Sequence, residues 1–463
     1  MKQISMENIW HKPRHLVLVI VAVMTGVNAF WWLPAQLGYG AWFIICYFLF
    51  LFLFGLPFIY AEFHVGKTLR VTAEQFFTRW MEEYGLSRLW LLIPLCSVAA
   101  CLILLAGYLI LSDWLLHYLI LLIPDGNQSY ITYNYTAYFF KQTERVTESL
   151  LVQAFLLLGT GMFWRYTYPY QAERVMVLVS ILWGIMLIIL LLQVLMTTSI
   201  LPVLSTTFRF AAENLHRHML SAAFISAFFS FIPGSLLMLL FGCHAPDRFG
   251  KKELTAIVLI LCVISLAVAV MVKTILTETQ TRITAQASLL FIELPQALHL
   301  LGQPLLSITV FLFLLLSCML AVVYLTLRLH LAFAYWLDID NVSAQFFVGI
   351  LVMIFSFVMI AANTWLGSWL NLDRFAVWNI VNSLASQFML PLVSLGFILC
   401  ATHILPQCLS RHRVSQHNAT RNRGIFPVWS GNHWYISCCY WLLRIGGPVC
   451  IIFGATLTFL QFG

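Results

Sequence analysis

Long apolar runs alternate with short polar stretches along this chain, and most runs are close to the ~20 residues that cross a bilayer as a helix. The pattern predicts eleven spans, at about 15–37, 41–65, 90–123, 149–165, 175–203, 219–242, 254–276, 304–336, 343–362, 376–404 and 434–459. Two of them contain residues that a continuous helix does not favour. Span one is interrupted at Met24-Thr25-Gly26-Val27-Asn28, where Thr, Gly and Asn favour non-helical backbone. Span six reads Ala227-Phe228-Phe229-Ser230-Phe231-Ile232-Pro233-Gly234-Ser235-Leu236, and Pro233-Gly234 removes a backbone donor and a helix-stabilising side chain together. The breaks lie five spans apart, as expected when two inverted five-helix repeats bring their broken helices to one central site. On that expectation the first repeat (helices 1–5) covers 1–218 and the inverted second repeat (helices 6–10) covers 219–404. A basic loop, 405–433, and an eleventh helix within 434–463 follow.

Composition agrees with this reading. Of 463 residues, 61% are apolar and 9% are charged, whereas an ordinary soluble domain carries about 25% charged residues. The chain therefore reads as an all-α integral membrane protein. Its net charge of +7 calls for no nucleic-acid partner, because the basic residues collect in alternate loops. Lys2, Lys12, Arg14, Lys67, Arg70, Arg79, Arg88, Lys251, Lys252, Arg411, Arg413, Arg421 and Arg423 all fall on one side. The positive-inside rule puts that side, and the N-terminus, in the cytoplasm, and an odd number of crossings puts the C-terminus outside. Span one has a basic flank but no small-residue cleavage site, so it reads as retained. The eleven cysteines show neither metal spacing nor a disulfide framework and read as small packing residues.

Short motifs then narrow the class. Trp31-Trp32-Leu33-Pro34, Tyr47 and Gly55-Leu56-Pro57 followed by Glu62 and Gly66 resemble the opening of the neurotransmitter:sodium symporter family. Four further stretches are similar to that family in order and spacing. They are Tyr108 with Trp114 in span three, Phe228-Phe229-Ser230 with Gly234 in span six, Phe291 to Pro295 before span eight, and Met389-Leu390-Pro391-Leu392 in span ten. The resemblance is to bacterial members with eleven helices. It implies a leucine-transporter-like fold with broken helices 1 and 6, no enzymatic activity, and a bacterial inner (plasma) membrane location. The activity implied is secondary transport of a small amino acid or related zwitterion or amine by alternating access.

The resemblance also implies a site. Broken helices expose N–H groups at one half-helix end and C=O groups at the other, so a zwitterion can be held without a buried charged side chain. Gly26, Val27 and Asn28 would offer backbone to a carboxylate, Tyr108 its hydroxyl to the same group, and Phe229 a lid. Ser230, Ile232, Ser235, Ala321 and Leu325 would line the remainder, which favours an apolar substrate side chain. Trp32 would stand at the outer gate in place of an arginine, its partner being an uncharged residue near Asn382. Glu62 would accept hydrogen bonds from the broken helices, and Asp113 would face water in the outer vestibule. Arg328 and His330 are expected to snorkel to the inner interface.

Several positions depart from the family. Asn28 is displaced by one position, the span-seven ligand position aligns with Ile260, and Leu320 and Ala321 stand where span eight needs hydroxyls. Asn28 and Ser230 would then be the only side-chain sodium ligands, an incomplete shell for a hard cation. Ser317 or Thr326 would supply the oxygens under a shifted alignment. No cofactor is expected, and a sodium ion or a proton is the conceivable coupling ion. The partners expected are a small-molecule substrate and membrane lipid. The alternatives are a transporter-like sensor or partner-binding protein without coupled transport, and a proton-coupled or uncoupled carrier.

The topology is testable directly. Reporter fusions after Lys67, after Lys252 and within 405–433 are expected to report cytoplasm, and a fusion at Gly463 the outside. A cytoplasmic C-terminus would remove one span, the short 149–165 first.

Overall fold

A computed structural model describes residues 9–401 apart from 26–27, 86, 123–133, 168–170, 212, 214, 233, 284–286, 365, 367–368 and 370–375. Gly26, Val27, Pro233, the 405–433 loop, helix eleven and the C-terminal orientation lie outside the described residues. Among the described residues there is no strand. Among the described residues, nine helical segments are long and apolar enough to cross a membrane: Pro13–Trp31, Ala41–Leu69, Arg88–Leu122, Val146–Thr167, Ala172–Thr197, Lys251–Glu278, Pro304–Leu337, Asn341–Ala362 and Ile380–Leu399. Span six adds two shorter pieces, Arg217–Phe229 and Leu237–Cys243, separated by non-helical backbone. Span one is helical over Pro13–Thr25 and again from Asn28 to Trp31.

Both faces of most spans are apolar, so orientation is set by packing. In span five Leu178, Ile181, Ile185, Ile188, Leu192 and Leu195 form an exposed stripe at helical spacing. Its opposite face buries Ser180, Trp183, Leu187, Leu190 and Val194. The exposed stripe is the face that lipid covers, since apolar side chains gain nothing by avoiding hydrocarbon.

Three helices widen into a π-helical turn, and each does so just before a Leu-Pro pair. Leu51–Gly55 precedes Leu56-Pro57, Leu289–Glu293 precedes Leu294-Pro295, and Leu384–Met389 precedes Leu390-Pro391. Proline has no N–H and its ring collides with the carbonyl four residues back, and a wider turn relieves both problems without ending the helix. The Leu-Pro stretches singled out in the sequence are thus the places where spans two and ten and the outer segment before span eight pass through a wider turn.

Span two and the inner half of span six approach backbone to backbone. A side chain on Gly66 would strike the Leu239 carbonyl, and one on Gly242 would strike the Phe63 carbonyl. Small residues at a membrane helix contact permit this approach. Spans three and eight form a second extensive contact, joined by spans four and nine.

Gly242→Val is therefore expected to destabilise the protein by about 1–3 kcal/mol, the usual cost of overpacking. The readout is loss of monodisperse detergent-solubilised protein on heating. Gly184, with open space where a side chain would go, is the control: Gly184→Ala should leave the melting midpoint unchanged or slightly raised.

Candidate functional site

The break in span six is built from left-handed backbone. Ile232 has φ 44°, Gly234 φ 83° and Leu236 φ 58°, so three residues in five leave the helical region and free their polar groups. Each freed group needs a partner inside the protein, because a lipid-facing break has none. The Gly234 N–H donates to Glu62 Oε1 at 3.0 Å, Ser97 Oγ donates to the Ser235 carbonyl at 3.2 Å, and the Cys101 thiol lies 3.5 Å from that carbonyl. Ser235 Oγ closes back on the Ile232 carbonyl at 2.7 Å. Glycine is required at 234, because a side chain there would also run into the Leu390 carbonyl of span ten.

Spans two, six and seven meet beside the break in a corner of hydroxyls. The Tyr47 hydroxyl lies 2.9 Å from Ser230 Oγ, which in turn donates to the Ser226 carbonyl at 2.8 Å. Ser265 of span seven is within hydrogen-bonding reach of the same Tyr47 hydroxyl, and Cys262 is close by. Neutral hydroxyls can meet an ion of either sign, as acceptors or as donors. The sequence reading missed Ser265, although it is the only hydroxyl residue between Ala256 and Val272. It chose Ile260 instead, and that choice is corrected here: Ile260 is 40% exposed on the outer face of span seven, turned away from this corner.

Span eight shows which oxygens are already engaged. Ser317 Oγ donates to the Phe313 carbonyl at 2.9 Å and accepts from the Trp183 indole at 2.9 Å. Thr326 Oγ1 donates to the Val322 carbonyl at 2.7 Å. Trp183 is fully buried and continues into a ring stack, 5.4 Å from Phe313, which lies 5.7 Å from Phe30 in the helical segment Asn28–Trp31 of span one. Ala321 and Leu325 are buried on the same helix, as is Tyr108 on span three. Asn28 opens the helical segment Asn28–Trp31 of span one, and Phe229 ends the segment Arg217–Phe229 before the span-six break.

Above Tyr108 lies an aromatic roof. Trp114 packs 5.7 Å from Trp378 of span ten, 5.2 Å from Phe139 and 5.4 Å from Phe291, and Phe139 and Phe291 stack on one another. Trp378, which the sequence reading did not single out, lies over span three at Gly107. Trp32 is partly exposed, and its buried indole nitrogen has no partner among the described residues.

Two expectations about ionisable residues are corrected. Asp113 does not face vestibule water: it is 0% exposed, accepts from Ser149 Oγ of span four at 2.6 Å, and lies 3.2 Å from His117 Nδ1. A helix advances about 100° per residue, so the five residues from Tyr108 to Asp113 carry the carboxylate well around span three, toward span four. Arg328 and His330 do not snorkel. Both are buried, and Arg328 Nη1 is paired with Glu74 Oε1 at 2.7 Å. A nearby carboxylate on the inner helix Ala73–Tyr84 competes with the interface for the guanidinium.

The N-terminal segment packs against the end of span six and the start of span five. Trp10 is buried with its N–H 3.4 Å from the His244 carbonyl, just past span six. Glu173, at the start of span five, holds His11 and His15 through ring nitrogens at 2.6 and 2.8 Å.

An all-helical bundle whose sixth span is interrupted by non-helical backbone, partnered by spans two and three, has the leucine-transporter-like fold. Among solved structures the chain is similar to MhsT in complex with L-phenylalanine, with a TM-score of 0.78 over 97% of this chain and 99% of that one, at 19% identity. No family model matches the sequence, and no curated protein does.

Proposed function

We propose that this protein is a secondary transporter of the neurotransmitter:sodium symporter type, carrying a small amino acid with an apolar side chain by alternating access. The observation that carries the reading is the span-six break, whose backbone is held open by Glu62 and Ser97 within a fold shared with a protein solved bound to L-phenylalanine. Gly26, Val27 and Asn28 offer the substrate backbone, Tyr108 holds its carboxylate, and Ile232, Ser235, Ala321 and Leu325 surround its side chain, with Phe229 as lid.

If Tyr108 donates to a carboxylate away from water, Tyr108→Phe is expected to cost the roughly 1.5–3 kcal/mol of a hydrogen bond to a charged group, about ten- to hundredfold in affinity. The measurement is L-phenylalanine and L-leucine binding to purified protein. Unchanged affinity would place Tyr108 in the packing instead.

Strong sodium dependence is not expected. Leu320 and Ala321 carry no oxygen on their side chains, Ser317 Oγ already donates to the Phe313 carbonyl and accepts from the Trp183 indole, which leaves it one lone pair, and a partial oxygen shell holds a hard cation weakly. A ligand shifts a conformational equilibrium only by its differential affinity for the two states, so a weakly held ion couples poorly. Uptake into proteoliposomes in choline and in sodium buffer should agree within about twofold, and a large stimulation by sodium would overturn this. The same engaged Ser317 favours, as a second reading, a sensor without coupled transport, which would bind amino acids but show no uptake in either buffer.

A further inference from the structure

Among the described residues three buried charged groups, Glu62, Glu74 and Arg328, gather in the inner half of the molecule, and they do not balance. Glu62 from span two is buried, Glu74 from the inner helix Ala73–Tyr84 is fully buried, and Arg328 from span eight is 2% exposed. Arg328 Nη1 meets Glu74 Oε1 at 2.7 Å, while Glu62, within electrostatic reach of the same guanidinium, instead accepts the Gly234 N–H. Two carboxylates thus share one cation. Arg328 is also under-used, since its Nε and Nη2 have no partner among the described residues, and neither Glu74 oxygen receives an aligned hydrogen bond. Two of the three guanidinium nitrogens are thus left over, while a second carboxylate acts on the same cation electrostatically.

The other titratable groups around the cluster do not restore the balance. Cys101 of span three and Cys243 at the end of span six are its remaining near neighbours, and both are buried thiols. Lys67 and Arg70, at the end of span two, are engaged by Asp247 and by the carbonyls of Cys243, Ala245, Asp247 and Phe249. His330 is buried two residues from Arg328, but two residues along a helix turn it well away from Arg328.

From this geometry we infer that Glu62 is a proton-binding site whose occupancy is set by whether Arg328 is paired with Glu74. With Arg328 on Glu74, the buried Glu62 has no cation of its own and holds a proton. When the inner helix draws Glu74 away, Arg328 turns to Glu62, which becomes a carboxylate and releases its proton to the inner side. Proton and charge balance in each arrangement: a neutral acid beside an ion pair becomes an ion pair beside a solvated carboxylate, with one proton released. The partner change also reaches the broken helix, because Glu62 holds Gly234. In the context of the transporter proposed above, this site would make the proton the coupling ion, but the site itself does not depend on that reading.

The experiment is infrared difference spectroscopy of purified, substrate-free protein titrated between pH 5 and 9, following the band of protonated buried carboxyl groups. A titrating band is expected in the parent protein and should be lost in Glu62→Gln. Glu74→Gln frees Arg328 for Glu62 and should move the band's midpoint to lower pH by at least about one unit, a tenfold loss of proton affinity. Arg328→Gln removes the cation and should move it the other way. A merely structural role predicts no such opposed shifts. Absence of a titrating band, its survival in Glu62→Gln, or an upward shift in Glu74→Gln would overturn the inference. If Arg328→Gln does not fold, the sign of the Glu74→Gln shift decides alone. Failed amino-acid uptake with these infrared shifts intact would count against the transporter reading and leave the proton site standing.

Discussion

A backbone interrupted inside hydrocarbon must find its hydrogen-bond partners within the protein, and much of this architecture follows from that constraint at residues 232–236. Three left-handed residues in five leave donors and acceptors that water cannot reach. Glu62 from span two and Ser97 from span three answer them, so the break fixes how three spans are placed relative to one another. The close approach at Gly66 and Gly242 serves the same end, because Glu62 reaches Gly234 only if span two lies directly against the inner half of span six. Each unsatisfied group would cost several kcal/mol in lipid, more than most side-chain contacts return.

This constraint also explains what could be read from the sequence. Residues that break helices are chemically distinctive, so Pro233-Gly234 announced the span-six break, whereas the Leu-Pro pairs were legible only as motifs and not as the π-helical turns they bring about. Span positions were legible because hydrocarbon demands apolar length, and ten of the eleven expected spans fall at least in part within the described residues. Facing was not legible. In a soluble protein the polar face of a helix looks outward, but in span seven Ile260 and Cys262 are both apolar, and nothing in the pattern says that the first meets lipid and the second the core. The span-seven site position was misassigned for that reason, while Ser265, the one hydroxyl residue between Ala256 and Val272, was the signal that could have corrected it.

Partners of buried charges were equally hidden. Asp113 and Ser149 are 36 residues apart, and Arg328 and Glu74 lie in different quarters of the chain, so no local pattern connects them. What the sequence could say was only that an ionisable residue within a span has a role to be found. The structure gives Asp113 a structural one, clamping span three to span four through Ser149 and Gln153, which moves it from the vestibule to the scaffold.

Lys273 shows how the same reasoning separates a fixed charge from a movable one. It is buried near the outer end of span seven and donates to the Leu37 carbonyl at 3.1 Å and to Thr207 Oγ1 at 2.9 Å. Both acceptors are neutral and belong to segments that end a helix, where carbonyls and hydroxyls are left over by the geometry of termination. Such a cation ties three chain segments together, and no second acceptor of opposite charge is shown to compete for it. Arg328 differs in that respect: its partner Glu74 is an anion on an inner connecting helix, and a second anion, Glu62, stands within range on a different element. A buried pair that loses one member leaves an uncompensated charge, at a cost of several kcal/mol. A cluster with a spare carboxylate avoids that cost by moving a proton, and so can separate the inner helix from span eight without stranding the guanidinium.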